Sequence, residues 1–139
     1  GMNYGWPLVE GRAGDGRFVD PVLQWEPRAA SPSGLAAVGD TLFMAGLRGR
    51  ALWIIDTDGG HVVGEASTWL PAHPARLRDA VAAPDGSLWV LSNNTDGRGD
   101  PAAGDDRLIR VPPAPAPEGA PRTSCAGAPR ALQAGTRAR

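Results

Sequence analysis

The stretch RDAVAAPDGSLWVLSNN (Arg78–Asn94) decides the fold, because it can be laid on an earlier one, SGLAAVGDTLFMAGLRG (Ser33–Gly49). Leu35 falls on Val81, Gly39-Asp40 on Asp85-Gly86, Leu42 on Leu88 and Met44 on Val90, an offset of 46 throughout. In each copy two short apolar runs flank a Gly/Asp turn, which is hairpin punctuation. A repeat of about 40–50 residues built from short antiparallel strands is the sequence signature of a β-propeller blade.

Working outward, GLAAVG, TLFMAG, RALWIID and HVVGEASTWL read as four consecutive strands, joined at Gly39-Asp40, Leu47–Gly49 and Asp56–Gly60. The DTDGG stretch (Asp56–Gly60) suits a tight hairpin loop, since Asp and Gly tolerate left-handed backbone. In the second unit only one further strand, RLIRVPP (Arg107–Pro113), follows, after an insertion rich in Gly and Asp (Thr95–Asp106). Residues 1–31 read as loop, with one extended piece around Val22–Trp25. The expected fold is therefore all-β: about two blades of a propeller over residues 1–111, with a Pro/Ala/Gly-rich disordered tail over 112–139. Two blades cannot close a ring, so further N-terminal blades are expected to belong with this segment.

Composition excludes several classes. The 139 residues carry a net charge of −1 with no segment dominated by one sign, which does not point to nucleic acid or an anionic membrane. No apolar run approaches the roughly 20 residues of a membrane span, and no secretory signal follows Met2. Gly and Pro account for 33 residues, which argues against a helical protein. Cys125, the one cysteine, sits in the tail, so neither a disulfide framework nor a metal cluster is implied. All fourteen basic residues are Arg, a pattern read as coding bias.

Four pieces in order, NYGWP (Asn3–Pro7), SPSGL (Ser31–Leu35), LFMAGLRGRAL (Leu42–Leu52) and RLRDAVAAPDGSLWVLSNN (Arg76–Asn94), resemble the pyrroloquinoline quinone (PQQ)-dependent sugar dehydrogenases of the glucose/sorbosone type. The resemblance implies a six-bladed propeller of which residues 1–111 are the final part. It implies oxidation of a sugar at C1 to the lactone, with hydride passing to PQQ. It also implies a periplasmic or extracellular site of action. The catalytic histidine of such enzymes lies in an earlier blade, so no catalytic residue is expected here and the chain alone should be inactive. A propeller used as a non-catalytic binding scaffold, or a degenerate remnant, is the alternative.

By that resemblance Arg48, Arg76 and Arg78 bind the cofactor, with Gly46, Leu47 and Leu77 as their neighbours. PQQ is a flat tricycle bearing three carboxylates, and the guanidinium fork suits carboxylate better than an ammonium does. Independently of the family, Arg76 and Arg78 stand two apart at a strand start and should share a face. Arg48 lies in the turn of the preceding blade. Three guanidinium groups together would repel one another without an anion, so a cluster predicts an anionic ligand. The competing reading makes them surface charges or interblade ion pairs.

Tyr4 is the candidate metal residue, offering a main-chain carbonyl to a calcium ion that takes six to eight oxygens. The acidic partner expected some ten residues earlier is not in this sequence, and Met2 stands where many relatives carry an acidic or polar residue. Trp6 is expected to pack in a core. His61 and His73 read as solvated, Ser33 as a turn cap, and the Asn93–Asp106 insertion as a flexible surface loop rather than a calcium loop.

Overall fold

A computed structural model of the chain describes residues 1–71 and 75–112. His73, Cys125 and the tail expected from Pro112 onward lie outside the described residues, Pro112 excepted. Every regular element among those residues is a strand: β1 (Pro32–Val38), β2 (Thr41–Gly46), β3 (Leu52–Asp58), β4 (His61–Val62), β5 (Ser67–Trp69), β6 (Leu77–Ala82), β7 (Leu88–Ser92) and β8 (Leu108–Val111).

The first sheet is an antiparallel meander in the order β1-β2-β3-β4, and β5 also pairs with β3. The expected fourth strand is thus split. Val62 pairs with Thr57 and the Val63 N–H still donates to Asp56 O at 2.9 Å, whereas Ser67, Thr68 and Trp69 pair with Ile54, Trp53 and Leu52, and residues 64–66 lie between the two strands. The β3–β4 loop is tighter than the sequence implied. Strand β3 runs on to Asp58, leaving Gly59 and Gly60 at φ 54° and 83°, the two positive dihedrals of a two-residue hairpin. The second sheet is a three-stranded meander, β6-β7-β8.

The repeat is real but its offset is not constant. Leu35 pairs with Met44 and Ala80 with Val90, so Leu35 corresponds to Ala80 rather than to Val81. One extra residue in the β6–β7 loop absorbs the difference. Because side chains alternate along a strand, this single residue moves Val81 to the opposite face. Val81 is exposed while Ala80 is buried.

The sheets stack face to face. Ala36, Val38, Phe43, Ala45 and Leu52 of the first meet Leu77, Ala80, Leu88 and Val90 of the second in one apolar core. Leu52, Leu77 and Val90 are fully buried there, each worth about 1.5–3 kcal/mol of apolar transfer. Gly34 lets β1 approach β6, since a Cβ at that position would collide with Asp79. Ser33 proves to be an interblade clamp and not a turn cap: its hydroxyl donates to the backbone oxygen of Arg78 at 2.6 Å, with that of Leu77 at 3.0 Å.

The outer face of the first sheet is partly covered by the N-terminal segment, which has no strand at 22–25. Leu23 and Trp25 instead pack on Met44, Ile55 and Trp53, with the two indole rings 5.2 Å apart and tilted by 54°. Trp6 departs from expectation. It is 74% exposed, and the residue buried in that loop is Gly5, whose position leaves no more than contact distance to the Phe18 ring.

Candidate functional site

The turn after β2 is held by backbone. Leu47 N–H donates to Ser31 O, and the N–H groups of Arg48 and Gly49 both donate to Ala30 O, each at 3.1 Å. Gly46 N–H closes the turn onto Ala51 O at 2.9 Å. Glycine is required at 49, where a Cβ would strike Ala29 O, and the fit is tight at 46, where a Cβ would lie 3.1 Å from two carbonyl oxygens. The main chain of Arg48 is therefore fixed, and its side chain is left exposed.

Arg76 precedes β6 and is buried by the loop that follows β7. Its N–H donates to Asn94 Oδ1 at 3.0 Å, its Nε to Asn93 O at 3.2 Å and its Nη2 to Asp96 Oδ2 at 3.1 Å. Arg78 Nη2 reaches the same oxygen at 3.8 Å, so the two arginines converge on one carboxylate, although Arg76 precedes the strand and a register shift between Leu77 and Asp79 interrupts the alternation from which a shared face was expected. The other carboxylate oxygen of Asp96 accepts the Arg98 N–H at 2.9 Å. That hydrogen bond, with the Arg76 charge, holds the Asp96 carboxyl below the usual carboxylate range against the opposing effect of burial.

Ser31, Leu47, Arg48, Arg76 and Arg98 line one recess of about 320 Å³, within the span of small-molecule pockets, about 300–1,000 Å³. Arg78 is not part of that lining; it is connected to it through Asp96, the partner it shares with Arg76. Arg98 is the residue that sequence reasoning missed. It lies in the insertion read as flexible, and nothing in its spacing linked it to Arg48 or Arg76. Among the described residues, no carboxylate lies within ion-pairing distance of Arg48 or Arg98. Leu77, by contrast, is fully buried in the interblade core, so only its backbone can neighbour the arginines.

The expected flexible loop is a knitted one. Asp106 accepts hydrogen bonds from Asn94 N–H at 2.5 Å, Thr95 Oγ1 at 2.6 Å and Ser92 Oγ at 3.2 Å. Asp105 accepts from Asn94 Nδ2 at 2.8 Å and Ala102 N–H at 2.9 Å. These carboxylates serve backbone and side-chain donors of the same loop. Gly99 packs under it, where a Cβ would come within 2.6 Å of Asn94 O and 3.0 Å of Arg76 Cδ.

Tyr4 belongs elsewhere. It lines an apolar groove on the outer face of the first sheet with Leu35, Leu42, Met44 and Val62, away from the arginines. One carbonyl is a small part of a calcium shell, and among the described residues no three His, Cys, Asp or Glu side chains cluster to complete it. His61 opens β4 and is exposed.

Comparison with known proteins gives these residues a setting. The sequence pattern of the Glucose / Sorbosone dehydrogenase family matches residues 1–110. The chain belongs to this family. Among solved structures it is similar to the PQQ-bound aldose sugar dehydrogenase of Streptomyces coelicolor, at 44% identity and a TM-score of 0.74 over 79% of the chain. A putative oxidoreductase (glucose dehydrogenase) of Thermus thermophilus matches at 42% identity, TM-score 0.70, over the same 79% of the chain. An uncharacterized protein of Synechocystis is 30% identical over 118 residues, 70% of this chain and 28% of that protein. The chain spans 33% of each of the two solved structures. Its two sheets are thus blades of a partial propeller of the glucose/sorbosone dehydrogenase type.

Proposed function

We propose that this chain is the cofactor-carboxylate-binding part of a PQQ-dependent aldose dehydrogenase, which oxidises a sugar at C1 to the lactone. The observation that carries the reading is the recess in which Arg48, Arg76 and Arg98 meet, with Arg78 beside it. Its donor set fits a polycarboxylate. Guanidinium forks bind carboxylates bidentately, and Asp96 neutralises only one of the four positive charges. When bound, PQQ supplies the two-electron acceptor of the reaction. The chain's own residues bind and orient it. Arg76 is pre-set by Asn93 and Asp96, so little of its side-chain freedom is lost on binding. The clamped turn fixes only the main chain of Arg48, whose exposed side chain is ordered by the ligand.

The base that takes the sugar's hydroxyl proton, and the remainder of the pocket, belong to the part of the fold that this chain does not span. Export to the periplasm or cell exterior is part of the same proposal. The test is an equilibrium titration with PQQ of the chain and of its Arg76→Ala and Arg78→Ala variants. Loss of tenfold or more in affinity is expected for each, in line with charge-assisted hydrogen bonds of about 1.5–3 kcal/mol. Unchanged affinity in both would overturn the assignment.

A further inference from the structure

We propose that Arg98 is a ligand-contacting residue of the anion site, delivered by the loop after β7, and that the site carries three net positive charges to match a tricarboxylate. The inference rests on the polycarboxylate reading above and adds a residue and a charge count to it.

Three observations converge on Arg98. It lines the same recess as Arg48 and Arg76, although each comes from a different loop. Its backbone is spent while its side chain is not. The Arg98 N–H is held by Asp96 Oδ1 at 2.9 Å, and among the described residues no carboxylate pairs with its guanidinium. The loop is also pressed onto the site: Gly97 turns it at φ 80°, and Gly99 has no room for a Cβ against Asn94 and the stem of Arg76.

Asp96 organises the cluster. One of its oxygens draws Arg76 and Arg78, and the other fixes the backbone of Arg98. Three guanidinium groups, those of Arg48, Arg76 and Arg98, line the recess of about 320 Å³, and Arg78 joins the cluster through the Asp96 carboxylate it shares with Arg76. Four guanidinium groups less this one carboxylate leave the cluster three positive charges. A flat ligand with three carboxylates meets that charge without leaving an unpaired guanidinium. A monocarboxylate does not. In the absence of Arg98, one of the ligand's carboxylates would lose its fork and face water.

The experiment uses the whole 139-residue chain and two probes, PQQ and benzene-1,3,5-tricarboxylate, which is flat and triply charged but carries no quinone. Both are titrated against the wild type, Arg98→Ala and Arg98→Lys, with thermal melts run on each. The expected result is about a tenfold loss for both probes in Arg98→Ala and an intermediate loss in Arg98→Lys, with Tm unchanged, because a point charge replaces the fork only in part. Arg98→Ala binding both probes like the wild type would overturn the inference and leave the PQQ reading standing on Arg48 and Arg76. A wild type that binds the tricarboxylate but not PQQ would overturn the PQQ reading alone, with Arg98 judged on the tricarboxylate series. A wild type that binds neither would overturn both.

Discussion

Arg76 and Asp96 form the hub of the site: Nη2 stands 3.1 Å from Oδ2, with the arginine side chain 9% and the aspartate side chain 20% exposed. Removing one partner of such a shielded pair leaves the other charge uncompensated. Asp96→Ala should therefore lower Tm and should do so most at low ionic strength, where four guanidinium groups are left without a carboxylate. Added benzene-1,3,5-tricarboxylate should recover much of the loss by binding the folded state. Thermal melts with and without the anion check this; an unchanged Tm without the anion would contradict it.

Ser33 ties the two sheets. Its hydroxyl donates to the backbone of the segment that carries Arg78, so Ser33→Ala should cost about 1 kcal/mol of stability. It should also weaken PQQ binding by slackening that strand. Denaturant melts read the first effect and titration the second. A variant as stable as the wild type would show that the clamp contributes nothing.

Gly99 tests the loop without altering charge. A side chain there meets Asn94 O at 2.6 Å and Arg76 Cδ at 3.0 Å, so Gly99→Val must lift the loop from Arg76. The expected outcome is weaker anion binding although every arginine is present. Wild-type affinity in Gly99→Val would mean that the loop's seating does not matter to the site.

How much of this was legible in the sequence follows from the range of each signal. The meanders were readable because apolar alternation and Gly/Asp turns are local. That Arg76 and Arg78 lie near one another was readable from their separation, but strand alternation is not the cause: Arg76 precedes β6, the register shifts between Leu77 and Asp79, and it is Asp96 that gathers the two side chains. The offset of the repeat was misjudged by one residue in its first strand, since a one-residue loop extension leaves no mark in the apolar pattern until register is known. Arg98 and Ser33 were missed or misassigned because their roles depend on contacts between loops and blades far apart in sequence. Trp6 was expected inside on account of its size, but the turn buries Gly5 instead, and the ring is left outside.

The loop also sets an acid response. The Thr95 hydroxyl and Asn94 N–H hold the Asp106 carboxyl below its ordinary value, and the Ala102 N–H and Asn94 amide do the same for Asp105. A carboxyl depressed by folding stabilises the fold in full above its unfolded pKa, about 3.9. That contribution is lost as pH falls through the lower folded value. Tm should hence fall progressively below about pH 4, and Asp106→Asn should flatten the decline. Melts between neutral and strongly acidic pH measure it, and an identical slope in the variant would refute the role given to Asp106.

The central claim, that these blades furnish the cofactor-binding arginines of an aldose dehydrogenase, is tested most directly in a chimera. Residues 1–111 would replace the matching third of the Streptomyces coelicolor aldose sugar dehydrogenase, to which the chain is 44% identical. PQQ-dependent aldose oxidation by the chimera is measured with and without Arg76→Ala. Retained activity that the substitution shifts to tenfold or more higher PQQ concentration is the predicted result. A folded chimera whose activity ignores Arg76→Ala at every PQQ concentration would contradict the account.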